Sequence, residues 1–189
     1  MAALKRVHDR AILDALDAID PKPFTGEVWR ITRRDREALR GSTTHGRWSP
    51  NGEFEVLYTS LEREGALAEI GHRLSLEPVW PSRIQHEIHR IEVRTERTLH
   101  FADLATLQSL GVDIAKYQGF NYEATQAITA AAYFLAFDGL LVPSARASCT
   151  NLVLFLERVI EYGGRLDVRE SKPVDWIAWR KTRKPVASI

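Results

Sequence analysis

Near the start of the chain apolar residues recur at helical spacing: Leu4, Val7, Ala11, Ala15, Leu16 and Ile19, with charges between them. That period predicts an amphipathic helix. Asp20-Pro21-Lys22-Pro23 stops it, because a residue before proline is pushed out of the helical region. Glu27–Ile31 then reads as a short strand, with Val28 and Arg30 on one face and Trp29 and Ile31 on the other. Arg33–Arg40 is charged and reads as an exposed helix or loop, and Gly41–Gly46 as a small polar loop. Strand alternation returns at Phe54–Ser60 and places Val56 beside Tyr58. From about Glu62 to Leu76 the helical period resumes, with Leu67, Ile70 and Leu74 as its apolar stripe. Glu69 sits beside that stripe, next to the small residues Ala66 and Ala68.

Ile84–Val93 is strand-like, but its apolar phase shifts between Ile88 and Ile91, which suggests a bulge. Leu99–Leu104 reads as a further strand end. Tyr122–Ala136 is an alanine-rich helix with Asn121 placed to cap it. Leu140–Val142 and Leu152–Leu156 are continuous apolar runs, as expected of strands buried on both faces. The polar loop Pro143–Asn151 joins them, the kind of segment on which a rigid scaffold carries function. Gly163-Gly164 breaks the chain again. The basic stretch Glu170–Ile189 carries Trp176 and Trp179, which either cover a partner or dock back on the core.

Composition adds bounds. The chain has 189 residues, 44% hydrophobic and 27% charged, which fits one soluble domain. We expect an α+β fold in a single domain, with residues 1–23 as N-terminal helix and linker, 24–160 as the site-bearing domain, and 161–189 as a C-terminal tail packed on the domain or on a partner. A formal charge of +1 provides no global field toward nucleic acid or an anionic membrane, so any anion site must be local. No direct nucleic-acid or membrane binding is expected. The single cysteine, Cys149, excludes an internal disulfide framework. Charges interrupt the first twenty residues and no apolar run reaches membrane length, so the expected location is cytoplasmic.

A metal centre is not expected. Glu69-x-x-His72 is half of a di-iron pattern that needs two such helices. His86 and His89 are three apart on a strand and point to opposite faces. No Gly-x-Gly-x-x-Gly run opens a helix, so a Rossmann-type nucleotide site is not indicated. Cys149 reads as a small buried hydrophobe, since no nucleophile pattern surrounds it.

One stretch concentrates chemistry. Between Gly46 and Glu69 lie Arg47, an aromatic turn around Trp48, Tyr58 on a strand and Glu69 on a helix. Arginine forks grip phosphate oxygens or ribose. A tyrosine face suits a flat cationic ring, and a carboxylate stabilises positive charge developing on a sugar. Each residue also has a plainer reading. Glu69 is a solvated helix residue, Arg47 a surface arginine, Arg30 half of an ion pair, Tyr58 a half-buried strand residue, Ser144 a turn serine, and Trp48 packs beneath its loop.

The chain resembles the RES family of bacterial toxins, named for an Arg, a Glu and a Ser. The pieces that carry the likeness are Val28-Trp29-Arg30-Ile31, Gly46-Arg47-Trp48 with Gly52, and Leu57-Tyr58-Thr59-Ser60 with Ala68-Glu69. Asp138 through Arg146 and Asn151 through Phe155 complete the set, in order. Ala147-Ser148-Cys149 stands where a glycine-containing stretch is expected. The resemblance implies a central split β-sheet flanked by helices, similar to ADP-ribosyltransferases. It implies NAD as substrate, with no permanently bound cofactor. It also implies a cognate Xre-type helix-turn-helix antitoxin, with a homodimer or a toxin–antitoxin hetero-oligomer as the assembly. Arg30, Glu69 and Ser144 would be the naming triad, with Arg47, Tyr58 and Asn151 as NAD contacts.

The chemistry so implied is cleavage of the nicotinamide–ribose bond. Nicotinamide in NAD is already cationic and leaves neutral without a proton. One carboxylate therefore suffices where ordinary glycosidases need two. Water, phosphate or a protein side chain as acceptor gives a glycohydrolase, a phosphorylase or an ADP-ribosyltransferase. A non-catalytic nucleotide- or partner-binding domain is the alternative from a different class.

Overall fold

In the computed structural model, residues 7–101 and 103–182 are described. Leu4 of the expected first helix, Ala102 of the expected strand end and residues 183–189 of the expected tail lie outside them. The elements run α1 (Arg10–Asp17), β1 (Lys22–Arg33), β2 (Val56–Ser60), α2 (Arg63–Ser75), β3 (His86–His100), α3 (Leu104–Ser109), α4 (Glu123–Phe134), β4 (Gly139–Pro143), β5 (Thr150–Phe155), α5 (Leu156–Glu161), β6 (Arg165–Pro173) and α6 (Trp176–Thr182). Asp9 caps α1 through Ala11 N–H at 2.7 Å, and Asn121 accepts Glu123 N–H at 3.2 Å ahead of α4.

This is the expected α+β domain with a split sheet flanked by helices. Six strands join in the order β1-β2-β5-β4-β3-β6, and β1 also pairs with β3. β1 runs antiparallel along β3 from Arg33↔His86 to Lys22↔Thr98, and β6 lines the other edge of β3. β2, β5 and β4 form an antiparallel half. The halves join where β3 ends parallel to β4, Thr98↔Gly139 to His100↔Leu141, and where β1 meets β2 at Trp29↔Ser60.

Residue alternation then builds three apolar layers. Leu57, Leu152 and Leu154 face Val28, Ile91 and Val93 between the halves. The opposite side of the β2-β5-β4 half, with Val56, Val153, Phe155, Leu140 and Val142, packs under α1 and α4. Ile31 and Ile88, on the far side of β1 and β3, pack against Leu67 and Leu74 of α2 and Trp176 of α6. Both faces of β5 are covered, which is why its sequence is a continuous apolar run.

Two expectations are corrected. The phase change between Ile88 and Ile91 reflects packing on opposite faces of an unbroken strand, since β1–β3 register is continuous through both. The irregularity is on β6, where Arg90 pairs with Glu170 and Ile91 with Val168, leaving Arg169 as the extra residue. Second, the two expected strands in 84–104 are a single strand. Its polar stretch Arg94–Arg97 is carried through the sheet because the fully buried Asp138 carboxylate accepts Glu96 N–H at 2.8 Å, Arg97 N–H at 2.7 Å and Thr98 Oγ–H at 2.9 Å. Of the two readings of the C-terminal stretch, docking on the core is the one found: residues after Gly164 form β6 and α6. Trp176 is buried and donates its indole N–H to His86 Nδ1 at 3.1 Å. A Cβ on Gly71 of α2 would come within 2.2 Å of the Trp179 ring, so α6 lies directly on the helix that carries Glu69. No helix among the described residues is long and apolar enough to cross a membrane.

Asp138→Ala strands two backbone donors and a hydroxyl at a buried corner. Each such group is worth about 1–3 kcal/mol, so we expect a loss of about 3 kcal/mol and a Tm lowered by roughly 6–12 °C. Thermal denaturation checks this, and an unchanged Tm would show that Asp138 is not what holds the corner. A second expectation concerns acid. Burial lowers the pKa of His72, His86, His89 and His100 below the ordinary 6.5. The unfolded chain therefore binds more protons than the folded one as pH drops below 6.5, and stability falls until the folded-state values are passed. Urea midpoints at pH 7.5 and 5.5 should show the lower value at 5.5. In His86→Gln that difference should shrink.

Candidate active site

The halves of the sheet part beyond Trp29↔Ser60, and a cavity of about 440 Å³ opens there. Arg30 of β1, Tyr58 of β2, Glu69 and His72 of α2, Arg47 of the β1–β2 loop and Arg146 and Asn151 around the β4–β5 loop line it.

Glu69 is the centre. The buried Gly65, Ala66 and Ala68 let α2 pack closely against β1 and β2. Gly65 is required there, because a Cβ would lie 2.3 Å from Ser60 Oγ and 2.4 Å from Cys149 Sγ. Ser144 Oγ donates to Glu69 Oε1 at 2.6 Å, and Asn151 Nδ2 donates to the same oxygen at 3.1 Å. Oε2 takes neither bond. Ser144 is itself oriented, accepting Arg146 N–H at 3.1 Å and Ala147 N–H at 3.3 Å. Asn151 is fixed by its pairing with Ser60 across β2 and β5.

Among the described residues Arg30 is not half of an ion pair. Its terminal nitrogens donate to Tyr58 O at 2.8 Å and Arg40 O at 3.0 Å, bridging the split, while the buried Nε has no partner among the described residues. Burial pushes its pKa down to about 10, so it stays cationic at neutral pH. Arg47 lies between two aromatic rings, 4.8 Å from Tyr117 and 4.9 Å from Tyr122, and donates to Gly119 O at 3.0 Å. Burial lowers its pKa as well. Its loop is tied to α4: Thr125 Oγ donates to Arg47 O at 2.6 Å, and Gln126 Nε2 donates to Gly46 O at 2.7 Å. Trp48 is buried beneath the loop, as its sequence context suggests. Tyr58 accepts Trp48 N–H at 2.9 Å through its hydroxyl, and burial pushes its pKa up. A side chain at Gly46 would collide with that hydroxyl.

The structure thus brings Glu69, Ser144 and Asn151 into hydrogen-bond contact and places Arg30, Arg47 and Tyr58 on the same cavity. Tyr117 and Tyr122 escaped sequence reading. The available signal was a cluster of aromatics with Phe120 in a polar stretch ahead of a helix. Arg146 and His72 also line the cavity beside Glu69. The remaining candidates fall elsewhere. His89 is buried between Thr32 Oγ1 and Ser171 Oγ, each at 2.8 Å. Cys149 is only part-buried, with Sγ 3.6 Å from Ser60 Oγ.

Comparison with known proteins gives a family. A model of the RES domain matches residues 27–174. This chain belongs to the RES domain family. That match runs through β6, beyond the stretch in which the motifs were read. Among curated proteins, the NAD(+) phosphorylase MbcT of Mycobacterium tuberculosis (strain ATCC 25618 / H37Rv) is 24% identical over 169 residues, 86% of this chain and 90% of the relative. MbcT of Mycobacterium bovis (strain ATCC BAA-935 / AF2122/97) matches equally. A chain in the crystal structure of the M. tuberculosis MbcT–MbcA toxin–antitoxin complex superposes with a TM-score of 0.78 at 21% identity, covering 92% of this chain and 97% of that one. The same fold therefore extends over nearly the whole length of both, with a split sheet and flanking helices.

Proposed function

We propose that this RES-domain protein cleaves the nicotinamide–ribose bond of NAD, with inorganic phosphate as acceptor, and acts as a toxin by depleting cellular NAD. The observation that carries this is Glu69, held through one oxygen by Ser144 and Asn151 in an arginine-lined cavity. The NAD(+) phosphorylase activity for which the MbcT relatives are named supports it.

As the C–N bond stretches, positive charge develops at the ribose anomeric carbon. The free oxygen of Glu69 stabilises that charge, and it does so without reorganising, because Ser144 and Asn151 already fix the carboxylate. Ser144 and Asn151 are positioning residues in this scheme. Arg47, stiffened between Tyr117 and Tyr122, binds the pyrophosphate or the nicotinamide-side ribose. Tyr58 has its hydroxyl engaged by Trp48, which leaves its ring to pack on nicotinamide. Arg30 holds the cavity wall and contributes positive potential. An antitoxin partner belongs to this reading, supported by the toxin–antitoxin complex of the structural relative. We propose an Xre-type helix-turn-helix protein in that role.

Incubating the purified chain with NAD and phosphate should release nicotinamide and give ADP-ribose 1-phosphate by mass spectrometry. Glu69→Gln should slow release by about 10²–10³-fold while NAD affinity changes by less than about threefold. Absence of release by the folded, antitoxin-free protein, with or without phosphate, would sink the enzyme reading. ADP-ribose as sole product would replace phosphate by water, and a modified protein would make the chain a transferase. Arg47→Ala should weaken NAD binding by about tenfold or more, the value of one charge-assisted hydrogen bond. Unchanged affinity by calorimetry would remove Arg47 from the site.

A further inference from the structure

The cations of the cavity are not equivalent. Arg30 and Arg47 have guanidinium N–H groups committed to main-chain carbonyls. Arg146 does not. Its guanidinium makes no hydrogen bond or ion pair among the described residues, and it lies 5.7 Å from the centre of the exposed Phe120 ring. Its backbone is nonetheless fixed, because Arg146 N–H donates to the same Ser144 hydroxyl that donates to Glu69. A second unsatisfied group lies close by on the same cavity wall. His72, one helical turn further along α2, lines the cavity with its Nε2 buried and unpartnered. Buried polar atoms are normally satisfied, so such an atom at a cavity wall asks for a ligand. Arg146 and Glu69 both lie within electrostatic reach of His72.

We propose that Arg146 and His72 form the seat of the acceptor phosphate, beside Glu69 and separate from the groups that grip NAD; this rests on the NAD-cleaving reading. A phosphate delivered to the anomeric carbon must approach a carboxylate, and two anions at one centre repel strongly in a confined site. A cation free of other partners offsets that repulsion. Arg73 also lines the cavity without a hydrogen bond or ion pair among the described residues, but Arg146 is the one anchored beside Glu69 through Ser144 and within reach of His72. Hydrogen phosphate carries both P–O⁻ and P–OH, so it satisfies a guanidinium fork and a neutral imidazole together. In the step, a phosphate oxygen forms the new C–O bond as the C–N bond breaks. The bonding pair leaves on the nicotinamide ring nitrogen, and the proton of hydrogen phosphate stays on the phosphoryl group at His72 Nε2. The products are neutral nicotinamide and ADP-ribose 1-phosphate. The seat determines acceptor specificity: without it, water takes the place of phosphate.

The test varies phosphate at saturating NAD in the full chain carrying Arg146→Met, Arg146→Lys or His72→Gln. Arg146→Met should raise the phosphate concentration for half-maximal nicotinamide release about tenfold or more, and half-saturation by NAD should move less than about threefold. The Lys variant should fall between, since it keeps the charge and loses the fork. His72→Gln should raise the phosphate requirement about threefold or more and increase the share of ADP-ribose among products. Calorimetry with inorganic phosphate alone reads the seat without turnover, and the same order of affinities is expected. A chain that binds phosphate through Arg146 yet releases no nicotinamide would overturn the cleavage reading and leave the seat standing. Active, folded variants with unchanged phosphate dependence would overturn the seat, as would equal losses for NAD and phosphate.

Discussion

A guanidinium at the parting of a sheet is the constraint on which this architecture rests. β1 serves the β3 side along most of its length and touches the other half at Trp29↔Ser60. Beyond that pair the strands diverge, and a cleft between diverging strands leaves main-chain carbonyls without a neighbour. Arg30 fills that role, taking Tyr58 O and Arg40 O across the gap. Burying a cation away from any carboxylate is unfavourable unless carbonyls replace its hydration. Here they do, and its pKa of about 10 keeps the charge in place at neutral pH. The split is held open and positively charged by the same side chain.

Everything else at the site uses that opening. α2 enters it closely because Gly65, Ala66 and Ala68 have little or no side chain on the buried face. The β4–β5 loop closes over it from the other half, and its Ser144 fixes the Glu69 carboxylate. A carboxylate held at one oxygen by two neutral donors keeps its direction, which is what the proposed role of Glu69 needs. The aromatic turn at Gly46–Ser49 is equally over-determined, anchored by Tyr58 from below and by Thr125 and Gln126 from α4. Rigidity of the cavity comes from main-chain anchoring and owes little to salt bridges. The ion pairs found among the described residues are on the surface, where they contribute little to stability.

Much of the fold was legible in residue order. The amphipathic stripe of α2, the alanine-rich α4 and the apolar runs of β4 and β5 all have local periods that tertiary packing reinforced. β6 was not legible because an edge strand with alternating charges, Arg165 to Lys172, shows no buried face of its own. It exists through its ladder to β3. The length of β3 was hidden for a related reason. Its polar centre reads as a break until Asp138, some forty positions on, supplies the acceptors that let it pass through the interior.

For the site, the sequence by itself determined the kinds of groups: an arginine on a strand, a carboxylate on a helix, an aromatic turn, and a hydroxyl with an amide around a loop. Only the tertiary structure decided that they meet. Ser144 and Asn151 reach Glu69 because β5 pairs with β2 and places Asn151 opposite Ser60, at the entry to α2. Tertiary structure also settled Arg30 as a bridge between carbonyls and revealed Arg47 between two tyrosines far along the chain. The physical reason is one of range. Periodicity reports which face of an element is buried, whereas convergence depends on strand register and helix docking between segments that share no local pattern. The stretch from Gly46 to Glu69 holds much of the cavity's chemistry, and the distant β4–β5 loop turns its glutamate into an oriented one.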